Sequence, residues 1–423
     1  MLPIHIFRQN KDLILQGLAK KNFKETELVD KIIEADERRR QLQVEHDNLA
    51  ASVNSASKLI GQHMAKGEKE QAENLKAEVA QHKEKIKEVS ATLAALEQEQ
   101  HDDMVRLPNL PHSSVPFGKT PEENEVVRSG GTMPQLTEQK HPHWDLMDKY
   151  KLMDLALGNK LTGSGFPVFM GKGARLQRAL IQYFLNYNIA AGYTEYCPPF
   201  MVNEESAYGT GQLPDKEGQM YHITADGFYL IPTSEVPLTN IFRDVILQEN
   251  EMPAKLTAYS PCFRREAGSY GKDVRGLNRV HQFDKVEIVQ LVDSATSYDV
   301  LEGMVAHVEG LLQSLELPYR ILRLCGGDMS FTSAITYDFE VYSAAQERWL
   351  EVSSVSNFES FQANRMKIRH RDANGKTQLV HTLNGSSLAL PRIIACLLEN
   401  NQTADGIRIP AALQHYFGGD MIN

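Results

Sequence analysis

From Leu28 onward, positions 28, 32, 35, 39, 42, 46, 49, 53, 56, 60 and 63 step by alternating fours and threes and hold Leu, Ile, Ala, Arg, Leu, His, Leu, Val, Ala, Ile and His. That spacing is a 3.5-residue repeat, the seam of a coiled coil. A polar break at Ala65-Lys-Gly67-Glu-Lys69 leads into a second run through Ala72, Leu75, Val79, His82, Ile86, Val89, Leu93 and Leu96. Two such helices joined by a short glycine-containing turn predict an antiparallel hairpin over about residues 27–104. At roughly 1.5 Å per residue each arm extends roughly 50 Å. Arg39, His46 and His82 fall on the seam, where polar residues weaken a two-stranded rod but also fix its register. Ahead of the hairpin, one helix is expected around Lys11–Lys20.

The pattern changes at residue 107. Leu107-Pro-Asn-Leu-Pro111, Val115-Pro-Phe-Gly-Lys-Thr-Pro121 and Ser129-Gly-Gly131 place proline and glycine too densely for a helix or central strand, so residues 107–140 read as a linker. From about His141 the chain alternates differently. Leu176–Ala190 has helical spacing, and short β-rich segments recur at Gly227–Ile231, Leu256–Phe263, His281–Val289, Ser333–Val341 and Trp349–Ser356. Strand, turn and strand in direct succession predict antiparallel pairing, hence an α+β domain over residues 141–423 rather than a doubly wound sheet.

Composition narrows this picture only a little. The 423 residues carry 45 Lys+Arg against 55 Asp+Glu, and the acidic pI near 5.8 argues against a surface that seeks nucleic acid everywhere. Local basic patches are still allowed, and Arg38-Arg39-Arg40 is the one basic cluster on the arm; a solvated helix face and an RNA contact are equally open readings of it. The start of the chain lacks the pattern of a secretory leader, and no apolar run reaches the 18 or so residues that span a bilayer. Four cysteines, Cys197, Cys262, Cys325 and Cys396, stand far apart with no zinc-type spacing. They are expected to be free, mostly buried thiols of a reducing cytoplasm, and no zinc is expected.

The densest chemistry lies between Pro261 and Glu287. A strand ends in Arg264-Arg265-Glu266, a glycine-rich loop with Gly271, Lys272, Asp273 and Arg275 follows, and a second strand returns with Phe283, Lys285 and Glu287. Such a hairpin offers a guanidinium to a phosphate, a carboxylate to an amino group and an aromatic face to a base. A basic loop is more often plain solvated surface, and Phe283 alone reads as strand core. Neither Gly-x-Gly-x-x-Gly after a strand nor Gly-x-x-x-x-Gly-Lys-Ser/Thr occurs, so a bound nucleotide would depend on arginines and metal for its phosphates. Further on, apolar positions at helical spacing from Leu390 to Leu398 predict a buried helix that Pro391 can enter only in its first turn. Arg392 at its start is costly unless it meets a phosphate or carboxylate.

This hairpin resembles motif 2 of the class II aminoacyl-tRNA synthetases, and its details resemble the seryl-tRNA synthetase family. The pattern Phe-Arg-x-Glu-Ala-Gly-Ser, Arg-Gly-Leu and His-Gln-Phe-x-Lys-Val-Glu is joined in order by Gly209-Thr-Gly-Gln-Leu-Pro214, Thr233-Ser-Glu235, Glu351-Val-Ser-Ser354 and Asn384-Gly-Ser386. The family also carries an N-terminal coiled-coil arm, so the resemblance covers essentially the whole chain. It implies that Thr233, Ser234, Glu235, Arg264, Glu287 and Ser386 bind serine. It implies that Arg264, Arg265, Glu266, Val280, Phe283, Glu351, Val352, Ser353, Ser354 and Arg392 bind ATP, with Glu351 and Ser354 as Mg²⁺ ligands. Arg264 and Arg392 become the expected catalytic cations. Residues 161–201 look like motif 1, which implies a homodimer. Residues 1–106 become a tRNA-binding domain, with Arg38, Arg39 and Arg40 as candidate contacts.

What the resemblance implies is a ligase that makes seryl-adenylate from L-serine and ATP and then charges tRNA(Ser), with tRNA(Sec) as a second acceptor the family often serves. Two alternatives stay open on residues alone. A relative that loads an amino acid onto a carrier protein would not need the long arm, and a non-catalytic RNA-binding paralogue would typically have lost Arg264, Glu287 or Arg392.

Overall fold

The 3.5-residue seam folds as its spacing demands in the computed structural model, which describes residues 1–136, 140–215, 217–267, 275–372 and 374–423. Two short helices, α1 (Ile4–Gln9) and α2 (Lys11–Lys20), stand where one was expected. Then α3 (Glu27–Lys66) and α4 (Lys69–Arg106) form the hairpin, turning at Gly67. Gly67 is left-handed at φ +80°, a conformation that costs glycine nothing. The chain divides into two units, residues 1–19 with 23–108 and residues 20–22 with 109–423. In the first unit, seam residues Leu28, Ile32, Ala56, Ala72, Val79, Val89, Leu93 and Leu96 are buried, while Arg39, His46 and His82 are only partly covered.

The second unit is built on eight strands: β1 (Glu125–Gly130), β2 (Thr194–Glu195), β3 (Ala254–Phe263), β4 (Gln282–Val292), β5 (Tyr319–Arg323), β6 (Ile335–Ser343), β7 (Arg348–Asn357) and β8 (His381–Ala389). Their order across the sheet is β1-β5-β6-β7-β8-β4-β3-β2. Pairing is antiparallel except for β2 alongside β3, so the antiparallel expectation fails only at one edge. At the other edge, β1 comes from the stretch read as linker. Pro121 precedes the strand and Gly130 ends it, so neither interrupts it, and an edge position tolerates both.

The sheet works by the period-two rule. Along β4, Val286, Ile288 and Val292 enter the large core formed with helices α5 (Gly171–Ala190), α7 (Ser297–Ser314) and α9 (Leu390–Asn400). The alternate residues Phe283, Lys285 and Glu287 face a cavity. Of the cysteines, Cys262, Cys325 and Cys396 are buried and Cys197 is exposed, and all four are free. No helix among the described residues is long and apolar enough to cross a membrane.

Candidate active site

Antiparallel register does most of the assembly. β4 lies between β3 and β8, with Glu287 opposite Ala258 on one side and Ser386 on the other. Next to β8, β7 brings Ser354 opposite Asp338 of β6. The face they share opens into a cavity of about 600 Å³, lined by Thr233, Glu235, Arg264, Glu266, Val280, Phe283, Glu287, Glu351, Val352, Ser353, Ser354, Ser386 and Arg392. Two expected residues lie elsewhere. Ser234 is buried away from the cavity with its hydroxyl 2.6 Å from that of Ser260, and Arg265 is exposed, its backbone N–H donating to the Gln219 carbonyl. The lysine and glycines expected in the motif 2 loop at 268–274 lie outside the described residues.

One end of the cavity is a buried acid cluster. Glu235 opens α6 (Glu235–Asn240) and accepts from Gln362 Nε2 and Asn384 Nδ2, each at 2.7 Å. Burial, reinforced by repulsion from Glu287, pushes its pKa up to about 7. Glu287 is itself fully buried, and burial raises its pKa against the pull of Lys285. Lys285 Nζ lies 2.5 Å from Glu287 Oε2 and donates to Thr233 Oγ1 at 2.9 Å; Thr233 in turn donates to Glu287 Oε2 at 3.3 Å. Glu287 Oε1 has no partner among the described residues. Neither the salt bridge of Lys285 nor the two amides that meet Glu235 leaves a signal in the local sequence.

The other end is cationic and aromatic, and rimmed by acids. Arg264 sits over the Phe283 ring, 5.3 Å from its centroid, with Nε donating to the Pro232 carbonyl. Glu266 pairs with Arg279 at 3.0 Å. Arg392, the third residue of α9, donates from Nε to the Asn278 carbonyl and from one terminal nitrogen to the Glu351 carbonyl, at 3.0 and 2.8 Å. Asp338, which no sequence signal marked, lines the same cavity. Its Oδ1 is buried with no partner among the described residues, and its pKa is driven well above its ordinary value by burial and then by Glu351. That orphaned, repelled oxygen beside Glu351 and Ser354 is a donor set that suits a hard divalent cation. No three His, Cys, Asp or Glu side chains among the described residues are grouped so as to hold a metal.

On the arm, the basic triplet is divided. Arg39 and Arg40 join Arg8 around the buried Asp36 carboxylate, whose pKa is lowered chiefly by the Arg8 hydrogen bond. Arg38 is exposed.

Comparison with known proteins agrees with this geometry. Residues 221–401 match the model of the tRNA synthetase class II core domain (G, H, P, S and T), and residues 1–111 match the seryl-tRNA synthetase N-terminal domain. The chain is 50% identical to the serine–tRNA ligase of Salinibacter ruber and 47% identical to that of Neisseria meningitidis serogroup B, in each case over 99% of this chain and 98% of the relative. The seryl-tRNA synthetase of Pyrococcus horikoshii, solved with ATP, superposes with a TM-score of 0.93 at 33% identity over 100% of this chain and 99% of that one. The cytoplasmic serine–tRNA ligase of Naegleria fowleri, solved with AMP, gives 0.88 at 26% identity, again over 100% and 99%. With its arm, its antiparallel core and its cavity accounted for together, the chain belongs to the seryl-tRNA synthetase family, ATP-dependent ligases that activate serine and transfer it to tRNA.

Proposed function

We propose that the acid end of the cavity holds L-serine and the cationic end holds ATP. The serine ammonium meets Glu235 beside Thr233, the substrate hydroxyl meets Glu287 Oε1 and Ser386, and the carboxylate meets Arg264. A serine carboxylate oxygen then forms a bond to the α-phosphorus as the bond to the bridging oxygen breaks, and pyrophosphate leaves. In the second step the 3′-hydroxyl of the terminal adenosine attacks the acyl carbon and AMP departs. No protein nucleophile is needed; positioning and charge neutralisation by Arg264 and Arg392 supply the catalysis. Phe283 offers its face to adenine, Glu266 contacts the nucleotide, and Val280, Val352 and Ser353 wall it in. Glu351 and Ser354 would hold Mg²⁺, with Asp338 beside them, and a bound Mg²⁺ supplies positive charge to the triphosphate. Ser234 and Arg265, which do not line the cavity, are left with supporting parts.

The observation that carries this reading is the buried, partnerless Oε1 of Glu287 on a cavity wall. Such an oxygen selects a ligand that can donate to it. Alanine would leave it unpaired, and threonine must fit an extra methyl. Pyrophosphate exchange across the twenty amino acids should respond to serine, and Glu287→Ala should abolish that response; normal exchange in the variant refutes the site.

The acceptor is tRNA(Ser), and the same recognition of a long variable arm extends to tRNA(Sec). The hairpin within the domain of residues 1–106 makes that contact, with Arg38 better placed than Arg39 or Arg40, which share Asp36. Residues 161–201 present Leu161, Ile189, Tyr196, Phe200 and Met201 as exposed apolar side chains, which supports a homodimer through this region. Four free thiols support a cytoplasmic setting.

A further inference from the structure

Outside the cavity lies a second buried polar network that substrate binding does not use. His143 and Glu399 are both fully buried, 256 positions apart, with Nδ1 of His143 2.7 Å from Glu399 Oε1. The same oxygen accepts from the His143 backbone N–H and from Gln346 Nε2, each at 2.9 Å, while Oε2 accepts from the Ser343 hydroxyl. Burial favours the neutral acid, yet the hydrogen bonds from His143 and Ser343 hold Glu399 below its ordinary pKa. A carboxylate with four donors is a fixed anchor.

That anchor faces the stem of the motif 2 loop. His143 Nε2 accepts from the backbone N–H of Leu277 at 2.9 Å, so its proton sits on Nδ1. Gly276 packs so closely there that a Cβ would stand 2.2 Å from Nε2, which accounts for glycine in Arg275-Gly276-Leu277. Arg275 stacks on Trp144, 4.5 Å from its centroid. The next residue, Asn278, donates from its side chain to Gln346 Oε1 at 3.0 Å and offers its carbonyl to Arg392 Nε. One helix, α9, therefore grips two successive residues. Arg392 near its start holds the Asn278 carbonyl directly, and Glu399 near its end holds the Leu277 N–H through His143.

We propose that His143 and Glu399 are positioning residues for ATP, clamping Leu277–Asn278 so that the Asn278 carbonyl aims the Arg392 guanidinium into the cavity. This rests on the reading of Arg392 as a phosphate ligand. Neither clamp residue lines the cavity, and the serine end is held by its own bonds among Thr233, Glu235, Lys285, Glu287, Gln362 and Asn384. The clamp thus acts on ATP and leaves serine alone.

Two substitutions at one position test it. In His143→Asn the amide can still donate to Glu399 but is too short to accept from Leu277; in His143→Gln the longer amide keeps the acceptor. Pyrophosphate exchange in the full-length protein, varying ATP and serine separately, should show KM for ATP raised ~10-fold in His143→Asn and within ~3-fold in His143→Gln, with KM for serine unchanged in both. Equal effects of the two variants, or parallel rises in both KM values, overturn the clamp. Gln346→Leu cuts the side-chain hold on Asn278 and one donor to Glu399 while keeping the histidine in the chain, and replaces any insoluble variant. A rise in KM for ATP alone supports the clamp, and no selective rise overturns it. Arg392→Ala serves as the reference. If it leaves ATP use intact, the phosphate reading falls; if it abolishes exchange while both His143 variants match the parent, only the clamp falls.

Discussion

Glu235→Gln should stabilise the ligand-free protein while disabling it. The carboxyl is buried and held at about 7 against an ordinary 4.5, through desolvation first and repulsion by Glu287 second. At ~1.4 kcal/mol per tenfold, keeping it ionised at neutral pH costs the folded state about 3 kcal/mol. Between pH 4.5 and 7 the folded chain binds more protons than the unfolded one, so this group's contribution to stability falls as pH rises through that window and is flat above it. Glutamine removes the ionisation and keeps the shape. The neighbouring Asn384 amide can rotate to pair with the new NH₂, so most of the gain should survive, about 2–4 °C in Tm for a unit of this size. Thermal unfolding of both proteins at pH 5, 6, 7 and 8 should show the advantage of the variant growing with pH and levelling near 8. Serine-dependent exchange should fall at least ~100-fold, because a charge-assisted bond to the ammonium is lost. A Tm difference that is the same at pH 5 and pH 8 would refute the reasoning.

Other perturbations probe separate parts of the site. Phe283→Ala removes the aromatic face and should raise KM for ATP by roughly 5- to 100-fold, with little change for serine. Glu351→Gln should raise the Mg²⁺ concentration for half-maximal exchange ~10-fold in a metal titration, since Mg²⁺ uses only one or two protein carboxylates. Deleting about residues 30–102 should leave pyrophosphate exchange and abolish tRNA charging; equal loss of both would make the arm a folding element.

What the sequence disclosed followed from how local each signal is. The hairpin was legible because a seam repeats its instruction every seven residues, and Arg39 and His46 could sit on it without erasing the period. Arg264, Phe283 and Glu287 were legible because antiparallel strands carry neighbouring chemistry on alternate residues of a short stretch. The edge strand Glu125–Gly130 was hidden by the prolines and glycines around it. Asp338 was hidden because a strand that reads Ile335-Thr-Tyr-Asp-Phe-Glu gives no sign of which acid will be sealed inside. The pairing of His143 with Glu399 was illegible in principle. Two polar residues more than 250 positions apart leave no periodic trace, and only the fold brings them together.

The acids hidden in the cavity share one electrostatic logic. Glu235 and Glu287 are buried, Asp338 has a buried Oδ1, and all three have raised pKa values with desolvation as the leading cause. Such groups are tolerated when something cationic answers them. Lys285 answers Glu287 within the chain, which leaves the serine pocket one negative charge in excess when both acids are ionised. An ammonium at Glu235 cancels that excess, and the carboxylate of the same amino acid then needs the guanidinium of Arg264. On the proposed reading Asp338 and Glu351 would answer a cation, and the phosphates it carries would meet Arg392. On that same reading the pocket favours a zwitterion with a donor hydroxyl, because a ligand without the ammonium leaves that excess and one without the carboxylate leaves Arg264 unanswered. The same argument makes Lys285 indispensable. Lys285→Met would bury two uncompensated carboxylates side by side, driving one to take a proton and silencing the oxygen that reads the hydroxyl.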